Sequence, residues 1–375
     1  MSICIRRARI EDRAAIERFI RIAYQELAPF KGPDRWCWQF VENPFRSDGN
    51  DLVPVWIALN GDEIVGQIAV QATDAQVAGK IYSAGWIVDV MILPAYRGRG
   101  LGHLLHQAVV NDSPLLLTLT MAPATRHMAE RGGAITLGPT RQFSRWTRLR
   151  ADDVQRYLVQ RTAHRRRLRK AVRWACEDFA FHRLFALLAN RWLSFRDRGV
   201  RRTLPIVSMV EVKSFGPEID NLWQRTAASY PAICPRNSRF LNWRFVNCPQ
   251  LQYHVFLARR DGAVVGYSVL RRAISEELRH GIIVDLFADR LDLAVFSDMI
   301  VHAVEYFGHE VSSVECATSL PELESLLRKN GFFNSRTLAP TVVTSDELLR
   351  NKIINLRNDW FFSKADHDWD QIHLG

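Results

Sequence analysis

Asp89-Val-Met-Ile-Leu-Pro-Ala-Tyr-Arg97-Gly-Arg-Gly100-Leu-Gly102 is the stretch that decides how this chain folds. An apolar run ends at Pro94, glycines follow at 98, 100 and 102, and His103, Leu104, Leu105, Ala108 and Val109 continue at helical spacing. The pattern predicts a buried strand that passes through a proline turn into glycine-rich backbone opening a helix. Free N–H groups at a helix start, reinforced by the helix dipole, suit a pyrophosphate. Glycine lets phosphate oxygens reach the main chain without meeting a Cβ, and Arg97 and Arg99 add positive charge nearby. The loop is not G-x-x-x-x-G-K-[ST], nor G-x-G-x-x-G after an N-terminal strand, which disfavours a P-loop nucleotidase and a dinucleotide-binding fold.

Reading outward, Ser2 to Arg7 suits a strand, and the acidic pair Glu11-Asp12 suits the start of a helix running to about Ala28. Val55–Leu59, the Asn60-Gly61 turn and Ile64–Gln71 predict a hairpin, and Ser83–Leu93 a third strand. Beyond the loop come a helix from Gly102, a short strand at Leu115–Thr120, a helix over Pro123–Arg131 ended by Gly132-Gly133, and a last strand opening at Ala134–Leu137. That order predicts an α+β fold with a mixed sheet and helices on its faces.

The pattern recurs. Trp38-Gln-Phe-Val-Glu-Asn-Pro44 returns as Trp243-Arg-Phe-Val-Asn-Cys-Pro249, with Tyr24 and Tyr230 preceding the two tryptophans. Asn60-Gly-Asp-Glu-Ile-Val-Gly66 pairs with Arg260-Asp-Gly-Ala-Val-Val-Gly266, Ile87-Val-Asp89 with Ile283-Val-Asp285, and Thr136-Leu-Gly-Pro-Thr140 with Thr337-Leu-Ala-Pro-Thr341. Four matches in one order at nearly constant offset predict two copies of one fold, residues 1–147 and 203–345. Residues 148–202 would join them as a helical linker, and 346–375 would form a tail outside both. After Asp285 the second copy lacks glycine and carries further acids, so it is expected to keep the fold and to have lost the phosphate site.

At 375 residues, 47% hydrophobic and 24% charged, the chain has the size of two globular domains and neither disordered nor collagen-like composition. No run of uncharged apolar residues reaches membrane-spanning length. The N-terminal residues lack the apolar core of a secretory signal. Six scattered cysteines without a C-x-x-C pair suit a reducing cytosol and predict neither a metal site nor a disulfide framework. The net charge of +10 is localised: Arg148–Arg202 holds 16 Lys and Arg against 5 Asp and Glu, an excess of +11, which leaves −1 for the rest. Within it, Phe181, Leu184, Phe185, Leu188, Trp192 and Phe195 recur at helical spacing. Such basic amphipathic helices suit packing on neighbouring domains, peripheral contact of residues 150–200 with an anionic membrane, or nucleic acid. Packing fits best, and no specific nucleic-acid partner is expected.

The loop and its setting resemble the Gcn5-related N-acetyltransferase (GNAT) superfamily, whose signature, Arg or Gln followed by x-x-G-x-G/A, reads here Arg97-Gly-Arg-Gly100-Leu-Gly102. The resemblance covers residues 1 to about 145 and reaches the second copy only through the repeat. It implies acetyl-CoA as co-substrate, held by the main chain of Arg97, Gly98, Arg99, Gly100, Leu101 and Gly102, with the strand Val90–Leu93 along the pantetheine arm. N–H groups near Met91 and Ile92 would polarise the thioester carbonyl, and Leu93 would close that strand.

Direct acyl transfer to an amine needs a proton acceptor, and Asp89, eight residues before Arg97, is the candidate base; its recurrence as Asp285 argues for a structural role instead. The family's general acid, a tyrosine four residues before a glycine, is replaced by Met128 or Ala129, with His127 and Tyr96 nearby. Tyr24, Trp36 and Trp38 fall in the region bordering the acceptor site in this family, where they could stack on the acceptor or pack the loop. The expected activity is N-acylation of a primary amine, with an amino sugar of a surface-polysaccharide pathway as the favoured acceptor and protein lysines and small polyamines left open. A Fem-like aminoacyl-tRNA-dependent peptidyltransferase and a non-catalytic CoA-binding scaffold are the alternatives. Acceptor and oligomeric state are not legible.

Overall fold

The computed structural model describes residues 3–46, 51–120, 126, 129–130, 132–161, 166–178, 180–199, 204–274 and 279–371. The first half carries strands β1 (Ile3–Arg9), β2 (Leu52–Asn60), β3 (Glu63–Val77), β4 (Lys80–Ile92), β5 (Leu116–Thr118), β6 (Ile135–Thr136) and β7 (Thr140–Trp146). Helices α1 (Arg13–Tyr24), α2 (Pro33–Phe40) and α3 (Leu101–Asp112) lie among them. Then come helices α4 (Ala151–Arg161), α5 (Arg166–Asp178) and α6 (Phe181–Gly199). The second half carries β8 (Ser208–Val212), β9 (Ala232–Ile233), β10 (His254–Arg260), β11 (Ala263–Ile274), β12 (Arg279–Ala288), β13 (Ser313–Thr318), β14 (Phe333–Leu338), β15 (Thr341–Val343) and β16 (Trp360–Phe361). Its helices are α7 (Pro217–Thr226), α8 (Ser238–Leu241), α9 (Leu293–Phe307), α10 (Pro321–Lys329) and α11 (Glu347–Asn355).

Local chemistry accounts for the elements the sequence announces. The Arg9 amide donates to Asp12, which also holds Arg6 at 2.7 Å, and α1 follows with Ile16, Phe19 and Ile20 buried on one face. That helix stops at Tyr24; a 3-10 segment, Gln25–Lys31, takes over the residues expected to extend it to Ala28. Pro33 opens α2, where its missing N–H costs nothing. The β2–β3 hairpin closes with Asn60 opposite Glu63 and Gly61 at φ 64. In β3–β4 and β10–β11 both turn residues have positive φ (Ala78 and Gly79, Asp261 and Gly262), the twist that two-residue hairpins favour.

Two compact units result, and each is assembled from separate stretches of chain. The first comprises Met1–Thr140, Ser214–Gln252 and Leu338–Asp368; the second comprises Arg141–Lys213, Tyr253–Thr337 and Trp369–Gly375. In the first, the sheet runs β1-β2-β3-β4-β5-β15-β6, with β9 bridging β3 to β16. In the second it runs β8-β10-β11-β12-β13-β7-β14. The order matches position for position. In both, one central pair is parallel (β4 with β5, β12 with β13), so the expected α+β, mixed-sheet fold class holds.

The exchange of one strand is what the repeat did not reveal. β15, from the second half of the sequence, pairs with β5 and β6, placing Val342 and Val343 in the first core. β7, from the first half, pairs with β13 and buries Phe143 in the second. The divisions expected at 147, 202 and 345 follow the chain; the compact units do not. Helices α4–α6 likewise belong to the second unit, where both amide atoms of Asn190 bond the main chain of Leu149. The tail is corrected too: Trp360–Asp368 is buried in the first unit, its aromatic residues too costly to leave in water.

The first core lies between the sheet and α3, where Trp56, Val65, Ile68, Val70, Ile87 and Leu116 meet Leu101, Leu105 and Val109. That packing fixes the helix start against β4.

Candidate active site

On its β5 side, β4 is paired among the described residues at Gly85 and Trp86, opposite Leu116 and Leu117. On the other side, β3 follows it to Ile92, and the Leu93 amide donates to Val65 at 2.9 Å. Between these regions the register slips, and Asp89 takes φ 51. A bulge of this kind bends a strand and re-aims its groups. Since Leu93 faces β3, strand alternation turns Met91 the same way and turns Val90 and Ile92 toward the open edge. The Ile92 carbonyl on that edge accepts from Arg97 Nε at 3.0 Å.

The edge leads directly into the loop. Pro94–Tyr96 forms a 3-10 turn, and Gly98 and Gly100 both sit at φ 77 with open space where a Cβ would stand. Gly100 is the N-cap of α3 and its carbonyl accepts from His103 and Leu104, which leaves the Leu101 and Gly102 amides as the first-turn donors without an acceptor among the described residues. The Arg99 guanidinium lies 5.2 Å over the Tyr96 ring, whose hydroxyl accepts from Asn60 at 2.9 Å. A Cβ on Gly102 would stand in ordinary contact, 3.5 Å from Ile92 Cδ1, which shows how near the helix start lies to the end of β4. Leu101 is buried and can offer a ligand only main-chain atoms, while Leu93 is buried with its amide on Val65 and its carbonyl on the Tyr96 amide.

Beside the bulge lies a buried ionic network. Lys31 Nζ is 2.6 Å from Asp89 Oδ1 and 3.1 Å from Asp368 Oδ2, and Arg35 reaches Asp368 at 3.4 Å. The Tyr24 hydroxyl donates to Asp89 Oδ1 at 3.3 Å. Burial first, then the Asp89 carboxylate, pushes that hydroxyl far above its usual range, so it stays protonated and donates. His367 places Nδ1 2.6 Å from Asp368 Oδ1 and Nε2 3.3 Å from the Ile87 carbonyl, near where β4 leaves β5. Burial alone would raise the Asp368 carboxyl, but Lys31, His367 and Arg35 outweigh it and hold it well below the ordinary carboxylate range.

Residues 5–114 match the family model described as the acetyltransferase (GNAT) domain. The chain carries a GNAT acetyltransferase domain. Among solved structures, a GCN5-related N-acetyltransferase from Anabaena variabilis is similar at TM-score 0.61 and 12% identity, over 92% of this chain and 73% of its own. One from Kribbella flavida is similar at 0.52 and 14%, over 91% and 70%. Eis1 from Mycobacterium abscessus is similar at 0.52 and 13%, over 92% and 74%. At these identities the likeness is one of fold. No curated protein matches the chain in sequence.

The GNAT domain brings together several of the residues picked out in the sequence. Asp89 and Tyr24 are in contact, and Ile92, Arg97, Gly98, Arg99, Gly100, Leu101 and Gly102 line one continuous path of main chain. Met91 departs from expectation, because its amide turns toward β3 and Val90 shares the open edge with Ile92. Trp38 is corrected outright: it is 1% exposed and stacks on Trp243 at 4.8 Å, and each indole N–H donates to the other residue's carbonyl. An acceptor cannot stack on a ring already covered. Trp36 is also buried, edge-on to Phe40, though its indole N–H has no partner among the described residues. Met128 and His127 lie outside the described residues, while Ala129 is buried.

Sequence reasoning missed Lys31 and Asp368. A lysine is almost never buried without a partner, and its two partners here lie 58 and 337 residues away. The only available signal was the odd composition of Trp360-Phe-Phe-Ser-Lys-Ala-Asp-His-Asp368, dense in both aromatics and acids.

At the matching place in the second unit, Asp292 caps α9 by accepting from Val295 N–H and pairs with Arg260 at 2.9 Å. A carboxylate thus fills the helix start that Gly100 leaves open in the GNAT domain. Asp285, the counterpart of Asp89, is buried and accepts from Tyr267 at 2.7 Å.

The Asp368 network has a pH signature. Its folded value lies below the unfolded value of about 3.9, so its stabilisation is present above about pH 4 and is lost as pH falls further. Asp368→Asn leaves Lys31 and Arg35 short of a buried counter-charge, with an expected loss of about 3–5 kcal/mol at neutral pH. Urea unfolding of both proteins across the acid range checks this: the difference should shrink below about pH 4. A difference that stays constant with pH would assign the loss to packing.

Proposed function

We propose that the GNAT domain transfers an acetyl or other acyl group from acyl-coenzyme A to a small primary amine. One observation carries this reading: the main-chain edge at Val90 and Ile92, paired with no described strand and met only by the Arg97 side chain at the Ile92 carbonyl, leads into the Gly98–Gly102 amides, which have no acceptor among the described residues. The pantetheine arm, itself built of amides, suits pairing with such an edge, and the pyrophosphate suits the loop and the dipole of α3. Two glycines at positive φ with clear space above them fit that group. When bound, the co-substrate supplies the activated thioester.

The chain's own residues supply the rest. Main-chain N–H groups on the open edge stabilise charge that develops on the carbonyl oxygen. Asp89 takes the proton lost by the acceptor ammonium. The two described contacts of its carboxylate, from Lys31 and Tyr24, fall on Oδ1 and fix its orientation, leaving Oδ2 for the amine. The amine attacks directly within a ternary complex, the new C–N bond replaces the thioester C–S bond, and the thiolate leaves with the amine's second proton, so no cysteine or serine nucleophile takes part. Amino sugars are the first acceptor class to test. The second unit, with Asp292 at its helix start, binds no acyl-CoA.

A free-thiol release assay over amino sugars, polyamines, amino acids and peptides tests the activity. Asp89→Asn should lower turnover by about 10²-fold or more, flatten its pH profile, and leave the acetyl-CoA thermal shift in place. Thermal stabilisation without thiol release on any amine would favour a CoA-binding scaffold. Full activity in Asp89→Asn would retire Asp89 as the base.

A further inference from the structure

We infer that α6 is a docking surface for an anionic lipid bilayer. Its buried face, His182, Ala186 and Leu193, packs within the second unit. The opposite face presents Phe181, Leu184, Phe185, Leu188, Trp192 and Phe195 to solvent, with Trp192 62% and Phe195 75% exposed. At 100° per residue these six fall within a stripe of roughly 100°, the width of an apolar face meant to be covered. Monomeric soluble proteins rarely leave such a stripe open without an interaction to serve.

Charge chooses the occupant. The segment around α6 carries the +11 excess while the remainder of the chain is close to neutral. Lys170, Arg183 and Arg191 are exposed on α5 and α6. A second copy docking through the same face would set one basic segment against another. An anionic leaflet attracts each nearby Lys or Arg. Tryptophans suit the interface between headgroups and acyl chains, and Trp174 on α5 is exposed as Trp192 is. No described helix is long and apolar enough to cross a membrane, so α6 would lie along the surface.

A cavity supports an apolar occupant. Phe185 and Trp192 border a space of about 330 Å³ whose other walls include Trp146, Leu149, Val154 and Leu158. The one acid in its wall, Asp153, is turned to Ser312. This leaves room for part of an acyl chain beneath the helix.

The test is co-sedimentation of the full chain with phosphatidylcholine vesicles containing or lacking about 30% phosphatidylglycerol, an anionic lipid. Binding should require the anionic lipid, weaken in about 1 M salt as screening shortens to about 3 Å, and bring tryptophan fluorescence under quenching by brominated acyl chains. Leu188→Glu with Phe195→Glu should reduce partitioning at least about tenfold, since it places two anions on the apolar face. Both side chains lie outside the cavity wall, so an unchanged far-UV circular dichroism spectrum and cooperative melt of the double variant confirm folding. Absence of sedimentation with anionic vesicles, or equal binding by the double variant, overturns the inference. So does a concentration-dependent dimer that the double variant abolishes without any vesicle binding, which would assign the face to a second copy.

Discussion

Residues 1–147 expressed alone will neither unfold cooperatively nor bind acetyl-CoA, although the family match ends at residue 114. The first unit lacks three pieces in that fragment. Without β15, β5 and β6 lose their shared partner, together with Val342 and Val343. Without the 214–252 segment, Trp38 loses its stacking partner and both reciprocal indole hydrogen bonds. Without Trp360–Asp368, Trp86 loses Phe362 and His367, and Lys31 keeps one of its two carboxylates. Loss of one large buried side chain costs about 2–5 kcal/mol, and a whole domain is stable by about 5–15 kcal/mol. Several such losses together exceed that margin. The fragment would also carry β7 without β13, leaving Phe143 uncovered. Near-UV circular dichroism and thermal melting with and without acetyl-CoA check the expectation. A cooperative melt that acetyl-CoA raises would show that the exchanged strand and the tail are accessories.

The same particulars show how far the sequence reaches. The Asn60-Gly61 hairpin, the proline break and the glycine-led helix are local events, governed by a few neighbouring dihedrals, and each lies where its residues predict. The repeat of Thr136-Leu-Gly-Pro-Thr140 at Thr337–Thr341 correctly implies similar local structure, yet it carries no information about which sheet a strand joins. Partner choice among strands is a non-local matter of closure and register. Trp38 and Trp243 recur because they serve one another, so a feature that looked like a binding motif doubled by duplication is a single reciprocal contact. At the site, the main-chain path from Val90 to Gly102 is legible because it is continuous in sequence. The Lys31–Asp89–Asp368 network is not, since its charges come from three distant segments and only burial makes their pairing compulsory.

Gly100→Glu is the sharpest test of the donor site, because it separates the loop's chemistry from the fold's stability. Gly100 is at φ 77, where any L-residue costs about 1–2 kcal/mol in strain. Nothing lies within 4 Å of the added Cβ, so no steric cost accompanies the strain and the fold survives. The new carboxylate stands at the N-terminus of α3, where the helix dipole favours an anion, and it takes the place proposed for the pyrophosphate. The second unit already shows this arrangement, with Asp292 accepting an amide at the start of α9. Acetyl-CoA affinity should fall by about 100-fold or more, equivalent to about 2.7 kcal/mol, while the melting temperature without ligand drops by only a few degrees. Gly100→Ala, which carries the strain without the charge, should retain most of the affinity. Equal losses in the two variants would trace the effect to backbone distortion, and wild-type affinity in Gly100→Glu would move the pyrophosphate away from this loop.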